Sequence, residues 1–72
     1  MKLEHHTNVS ATRKALRLPA VAEKTGLSKT HIYRLIQQGK FPRSHRLSER
    51  VSVWDEAAID GFLAAKFSEA QS

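Results

Sequence analysis

One continuous stretch constrains the fold of this chain more than any other. It covers residues 18–42 and reads LPAVAEKTGLSKTHIYRLIQQGKFP. A small residue, Ala22, stands four positions before Gly26, and Ile32 and Leu35 follow that glycine at six and nine positions. This spacing is typical of a helix-turn-helix, in which two short helices meet at a turn that often contains glycine. Glycine suits such a turn because it has no Cβ to clash when φ is positive.

Local signals predict where the two helices begin and end. Pro19 favours the first position of a helix, which is expected to run to about Thr25. Ser28 is expected to cap the second helix by accepting a hydrogen bond from a first-turn N–H group. Gly39 suits a left-handed helix C-terminus, and Pro42 prevents the helix from continuing.

The pattern after this stretch predicts a small β-hairpin. Residues 43–54 read RSHRLSERVSVW, where apolar residues recur with period two and residues 48–50 form a short connection. An isolated hairpin is only marginally stable in water. It is therefore expected to pack on the helices, and the expected contacts are Phe41, Leu47 and Trp54.

A last helix is predicted between Asp55, its capping residue, and about Phe67. Its apolar stripe is broad and is expected to face inward. The stripe consists of Ala58, Ile59, Phe62, Leu63 and Phe67. Gly61 either weakens this helix somewhat or permits close helix packing.

These elements predict one small domain, which is as much as 72 residues allow. The fold is expected to be mainly α with a small β-hairpin, a winged helix-turn-helix of order α-α-β-β-α. Residues 1–15 are expected to be a flexible N-terminal arm, residues 16–67 the DNA-binding domain, and residues 68–72 a frayed C-terminus. No apolar run approaches the ~20 residues that cross a bilayer, and there is no cysteine. A cytoplasmic location with no membrane partner is the expectation.

Positive charge is concentrated in one segment of the chain. The formal net charge of the chain is +5. Residues 29–50 account for all of it because they contain six cations and one acid, Glu49. The cations of that segment are Lys29, Arg34, Lys40, Arg43, Arg46 and Arg50. Charge alone is equally compatible with a polyanionic partner and with a solvated face. Its coincidence with the helix-turn-helix favours double-stranded DNA as the partner.

The second helix and the hairpin supply the candidate DNA-binding residues. Those of the helix are Ser28, Lys29, Thr30, His31, Tyr33, Arg34 and Gln37. Those of the hairpin, here called the wing, are Arg43, His45, Arg46 and Arg50. Arginine can donate two hydrogen bonds to guanine, and glutamine can pair with adenine. The alternative is that both sets merely form solvated faces, or that Tyr33 packs half-buried against the hairpin.

Catalysis and cofactor binding find little support. The clustered carboxylates Asp55, Glu56 and Asp60 fit capping or the exposed face of one helix. The histidines are scattered and have no partner at the spacing of a nucleophile and its base. We therefore expect no enzymatic activity, no cofactor and no metal site.

Most of the chain, from residue 16 to about residue 66, resembles the AlpA family of prophage regulators. The most specific part is TGLS-x-x-x-IYRLI-x-x-GKFP, followed by RLSER, a β-run that ends at Trp54 and an acidic helix with Ile59 and Asp60. The family is related to excisionases and to MerR-type winged-helix domains. The resemblance implies a regulator of transcription or an excisionase that binds DNA near prophage or genomic-island promoters or attachment sites.

The resemblance also implies roles for individual residues. The matched positions expected to contact bases and phosphates are Ser28, Lys29, Thr30, Tyr33 and Arg34, with Arg50 near the wing tip. Two departures from the family pattern, Gly61 and the Ser52-Val53 pair, affect the expected helix packing and wing conformation.

A second function class stays open, a protein-interaction adaptor of the same fold that docks on an integrase. It predicts an exposed apolar or aromatic patch around Tyr33 or Phe67. A homodimer or cooperative assembly on DNA is also compatible with the sequence, because one helix in one groove covers few base pairs.

Overall fold

The computed structural model describes residues 14–71 of the chain. The elements within these residues are, in order, β1 (Ala15–Leu16), α1 (Leu18–Thr25), α2 (Lys29–Gln37), β2 (His45–Ser48), β3 (Val51–Asp55) and α3 (Glu56–Gln71). The strands form an antiparallel sheet in the order β1-β3-β2. The predicted winged helix-turn-helix is confirmed, and the sheet has one strand more than the predicted hairpin.

The additional strand, β1, changes the predicted start of the domain. Ala15 was expected to belong to the arm, but it pairs with Asp55, and Leu16 pairs with Trp54. The Glu56 N–H group also donates a hydrogen bond of 2.8 Å to the Lys14 carbonyl. A strand of two residues is too short to show any periodicity, so the sequence pattern did not reveal it. Residues 1–13, the rest of the predicted arm, lie outside the described residues.

The turn between α1 and α2 forms as the sequence predicts. Gly26 has φ +76° and donates its N–H to the Ala22 carbonyl at 2.8 Å. The Thr25 hydroxyl donates to the Val21 carbonyl at 2.8 Å and accepts from the Leu27 N–H at 3.2 Å. The turn is therefore held by local backbone and side-chain hydrogen bonds, which fix the angle at which α2 leaves α1.

The predicted ends of α2 are also confirmed. At its start the Ser28 hydroxyl oxygen accepts from the His31 N–H at 3.1 Å. At its end Gly39 has φ +72°, and its N–H donates to the Ile36 carbonyl at 3.0 Å. The Lys40 N–H donates to the Leu35 carbonyl at 2.8 Å. These two bonds form a Schellman motif, which terminates α2 immediately before the connection to the wing.

The core joins the three helices to the sheet. Its buried residues are Leu16, Val21, Ile32, Phe41, Trp54 and Ile59. Val21, Ile32 and Ile59 come from α1, α2 and α3 and are fully buried, which contributes about 1.5–3 kcal/mol each. The Trp54 indole N–H donates to the Pro42 carbonyl at 3.0 Å, so the central strand β3 is tied to the segment that follows α2. The predicted core roles of Phe41 and Trp54 are confirmed.

Three predicted core residues do not lie in the core. Leu47 is 64% exposed on β2, Phe67 is 64% exposed on α3, and Ala58 is also exposed. Leu47 lies on β2, an edge strand in which every residue is exposed, and so it does not contribute to the core. Phe67 lies where α3 projects past its packing partners, since residues 64–70 are all exposed.

The last helix also differs from its prediction. It continues to Gln71, beyond the expected end at Phe67, while the fraying of residues 68–72 stays a prediction. A Cβ built on Gly61 meets no atom within 4 Å, so close helix packing does not require glycine there.

Candidate nucleic-acid interface

The outer face of α2 presents four of the predicted base-contacting residues in one row. Thr30, Tyr33, Arg34 and Gln37 have the spacing i, i+3, i+4, i+7, which places them on one side of a helix. All four are exposed, whereas Ile32 on the opposite side is fully buried. Burial of Ile32 therefore orients the row toward solvent. Tyr33 is 53% exposed, so about half of its surface is open to a partner, and the alternative that it packs half-buried against the hairpin stays a prediction.

The first turn of α2 positions three further predicted residues. Ser28 is the cap, and Lys29 begins the helix with an exposed side chain. His31 borders the outer face of α2 but also lines a groove between α2 and α3. The positive end of the helix dipole coincides with Lys29, so this turn favours an anion.

The wing follows α2 in the chain and forms an exposed edge of the sheet. Its predicted residues Arg43, His45, Arg46 and Arg50 are all exposed. Arg43 lies in the connection from α2, His45 and Arg46 on β2, and Arg50 in the turn to β3. Arg46 pairs with Ser52 in the ladder, and its guanidinium donates to the Glu49 carbonyl at 3.1 Å. Arg46 is therefore held against the turn of the hairpin.

The wing contains one irregularity that the sequence did not indicate. Arg46 is opposite Ser52 and Ser48 is opposite Val51, so Leu47 has no partner on β3. This is a β-bulge, in which one strand carries an extra residue. Leu47 is the exposed side chain of this bulge.

The clustered carboxylates have structural contacts. The Asp55 side chain accepts from the Ala57 N–H at 3.1 Å and caps α3, as predicted. The Lys24 ammonium on α1 lies 2.8 Å from Asp60 and 2.9 Å from Glu56, both on α3. Hydrogen bonds to Asp60 and then to Glu56 raise the pKa of Lys24 above its ordinary value of 10.5. Residues 14–71 contain no group of three or more potential metal ligands.

An apolar groove of about 370 Å³ lies between the start of α2 and the second half of α3. Its lining residues are Thr25, Leu27, His31, Leu35, Phe62, Leu63, Lys66 and Phe67. The Lys66 ammonium lies 5.8 Å from the centre of the Phe62 ring, within the range of a cation–π contact. The sequence predicted an exposed patch near Phe67 only for an adaptor. Across residues 14–71, no helix combines the length and apolar character needed to span a membrane.

The chain was also compared with known proteins. A family model described as prophage CP4-57 regulatory protein (AlpA) matches residues 14–67. The chain belongs to the AlpA family. The matched residues begin at β1 and include both helices of the helix-turn-helix, the wing and most of α3. The MerR-type relationship stays a prediction.

The other comparisons add no further relative. No curated protein and no solved structure matches the chain. Membership of the AlpA family nevertheless places this chain among prophage regulatory proteins and agrees with the family resemblance of its sequence.

Proposed function

We propose that this AlpA-family protein is a sequence-specific DNA-binding regulator of prophage or genomic-island transcription. The observation that carries the proposal is the row formed by Thr30, Tyr33, Arg34 and Gln37, which the buried Ile32 turns outward, together with the exposed basic wing that follows α2. Such a row is the part of a helix-turn-helix that reads bases.

The outer face of α2 fits the major groove. The groove is about 12 Å wide and accepts one α-helix. From Thr30 to Gln37 the helix rises about 10 Å, which is roughly the length of three base-pair steps. In this arrangement Arg34 donates two hydrogen bonds to a guanine, and Gln37 pairs with an adenine. Thr30 and Tyr33 contact a thymine methyl group or a base acceptor.

The remaining predicted residues act on the DNA backbone. Lys29 and the capped first turn of α2 bind one phosphate, with Ser28 and His31 beside it. The wing residues Arg43, His45, Arg46 and Arg50 bind phosphates or reach into the minor groove. These contacts position α2 in its groove, whereas the bases determine which site is preferred.

The short row on α2 has a consequence for assembly. Three base-pair steps join only four base pairs, which are too few to define one site in a genome, so binding by a homodimer, cooperative assembly or DNA bending is needed. An excisionase role is compatible with such an assembly and includes contact with an integrase. Each of these roles places the protein in the cytoplasm with the DNA.

The proposal is tested by selecting duplexes from a random library with the 72-residue chain and measuring their affinity by fluorescence anisotropy. A selected duplex should bind at least a thousandfold more tightly than a scrambled one, and affinity should fall as salt rises. Arg50→Ala should weaken binding to both duplexes and reduce the salt slope by about 1. Lys66→Ala removes the same charge from α3 and should leave the slope unchanged. Equal affinity for selected and scrambled duplexes contradicts sequence-specific binding.

The apolar groove favours one second candidate, the adaptor that docks on an integrase. Its wall includes Phe67, which is 64% exposed on a helix that projects from the domain. If the chain binds no duplex at low salt but binds a purified integrase, and Phe67→Ala abolishes that binding, the adaptor replaces the DNA-binding proposal. If Phe67→Ala leaves both DNA and integrase binding unchanged, the groove has no part in either.

A further inference from the structure

Leu47 occupies an unusual position for a large apolar side chain. It is 64% exposed and lies on β2, an edge strand in which every residue is exposed. Exposed apolar side chains on edge strands promote aggregation, and proteins commonly place charges there instead. Its burial would remove apolar surface from water, which is favourable only in a partner that offers an apolar environment.

The bulge at Leu47 separates it from the ladder. Arg46 is opposite Ser52 and the next pair joins Ser48 to Val51, so Leu47 is the extra residue. Bulges twist a strand locally and redirect a side chain, and they are frequent next to functional sites. Leu47 is also close to the end of the hairpin, since only Ser48 separates it from the turn residues Glu49 and Arg50.

Two cations lie close to Leu47 in the sequence. Arg46 precedes it and is held by the Glu49 carbonyl at 3.1 Å, while Arg50 lies in the turn. Glu49, in the turn of the hairpin, accepts this hydrogen bond with its backbone carbonyl oxygen and not with its carboxylate. The end of the wing therefore combines one exposed apolar side chain with two guanidinium groups that can bind phosphates.

We propose that Leu47 is an apolar wedge that enters the minor groove, partly unstacks one base step and bends the duplex. This inference rests on the proposed DNA-binding function and assigns it a bending step. Minor-groove proteins use leucine among other apolar side chains in this way: the wedge opens the base step on its minor-groove side, and the duplex bends toward the major groove. The minor groove is about 6 Å wide, which suits entry of one side chain with flanking cations on the phosphates.

The wedge also supplies specificity where α2 makes no base contact. Pyrimidine–purine steps unstack most easily, so the wing should prefer such a step at a fixed distance from the bases read by α2. A bent duplex additionally brings more of its backbone to Arg43 and His45 at the start of the wing.

The test uses the full chain and a duplex of about 30 base pairs that carries a site selected by the wild-type protein. Fluorophores at the two ends report bending by energy transfer, and 2-aminopurine at successive positions reports unstacking by increased fluorescence. The wild-type protein should shorten the end-to-end distance and increase 2-aminopurine fluorescence at one step. Leu47→Ala should remove both signals and weaken binding about tenfold. Leu47→Met, which keeps an apolar side chain of similar volume, should retain both.

Two controls distinguish the effect of the Leu47 side chain from the effects of lost charge and of altered folding stability. Arg46→Ala should weaken binding and lower its salt dependence but keep both signals when the DNA is saturated. The melting temperature of Leu47→Ala should equal that of the wild type because the side chain is exposed. If the wild type binds its site without bending it, or Leu47→Ala retains both signals, the wedge is refuted while the proposed function stands. If the wild type binds no duplex, both the wedge and the proposed DNA-binding function are refuted.

Discussion

The three glycines permit a stability test in which backbone conformation alone determines whether a substitution by alanine stabilises or destabilises the protein. A Cβ built on Gly26, Gly39 or Gly61 meets no atom within 4 Å, so none of these sites lacks space for alanine. Gly26 and Gly39 have φ values of +76° and +72°, whereas Gly61 lies within the helix α3. The same substitution is therefore made in two left-handed sites and one helical site.

The expected changes in the free energy of unfolding have opposite signs for the helical site and the two left-handed sites. Gly61→Ala should stabilise the protein by about 1 kcal/mol because alanine loses less backbone entropy than glycine on forming a helix. Gly26→Ala and Gly39→Ala should each destabilise it by about 1–2 kcal/mol, because Cβ approaches a carbonyl oxygen in the left-handed conformation. In a domain of this size 1 kcal/mol changes the melting temperature by about 4–8 °C.

Urea denaturation followed by circular dichroism measures these changes, and thermal melts give the corresponding temperatures. The slope of unfolding free energy against urea should be the same in all variants, which shows that the midpoint reports stability. The reasoning is refuted if Gly61→Ala destabilises the protein, or if Gly26→Ala and Gly39→Ala match or exceed wild-type stability.

Two further predictions concern contacts between distant parts of the chain. Trp54→Phe removes the donor to the Pro42 carbonyl and shrinks a buried side chain. It should therefore lower the free energy of unfolding, measured by urea denaturation, by about 2–3 kcal/mol. A loss of stability below the error of the measurement would contradict the role of that bond. Lys24→Met removes the ammonium that Asp60 and Glu56 hold. Because folding raises the pKa of Lys24, the stabilisation is complete below 10.5 and is lost as pH rises through the higher folded pKa. The difference in stability between wild type and Lys24→Met should therefore shrink above pH 10.5, and a constant difference across that range would be the contrary result.

Features held by neighbouring residues were predictable from the sequence. The cap at Ser28 accepts from a residue three positions away, and the bond from Gly26 to Ala22 spans four. The Schellman motif at Gly39 is equally local. Each of these depends on one residue type with a specific conformational preference, so the type indicates the structure. The helix-turn-helix and the exposed row on α2 follow from them.

Features held by distant residues were not predictable in the same way. β1 exists because Ala15 and Leu16 find partners about forty residues later on β3. Lys24 meets Glu56 across 32 residues, and nothing near Lys24 in the sequence indicates that contact.

The same limit applies to exposure on the wing and on α3. Period-two alternation placed Leu47 on an inward face, but a bulge interrupts the alternation at that residue. Phe67 continues the apolar spacing of α3 past the point where the rest of the domain can cover it. Leu47 became a candidate for interaction only when its exposure was known, whereas Phe67 is one already under the adaptor alternative.

The central claim, that α2 reads bases through its outer face, is tested most directly at Arg34. Affinities of wild type, Arg34→Ala and Arg34→Lys should be measured by fluorescence anisotropy on a selected duplex and on its scrambled counterpart. Arg34→Lys is the matched control because it keeps the charge but loses the two parallel hydrogen bonds. We predict that Arg34→Ala weakens binding to the selected duplex by about 5- to 150-fold and to the scrambled duplex far less, and that Arg34→Lys restores little of the difference. An equal loss on both duplexes, fully restored by Arg34→Lys, would contradict base reading and leave Arg34 as a phosphate contact.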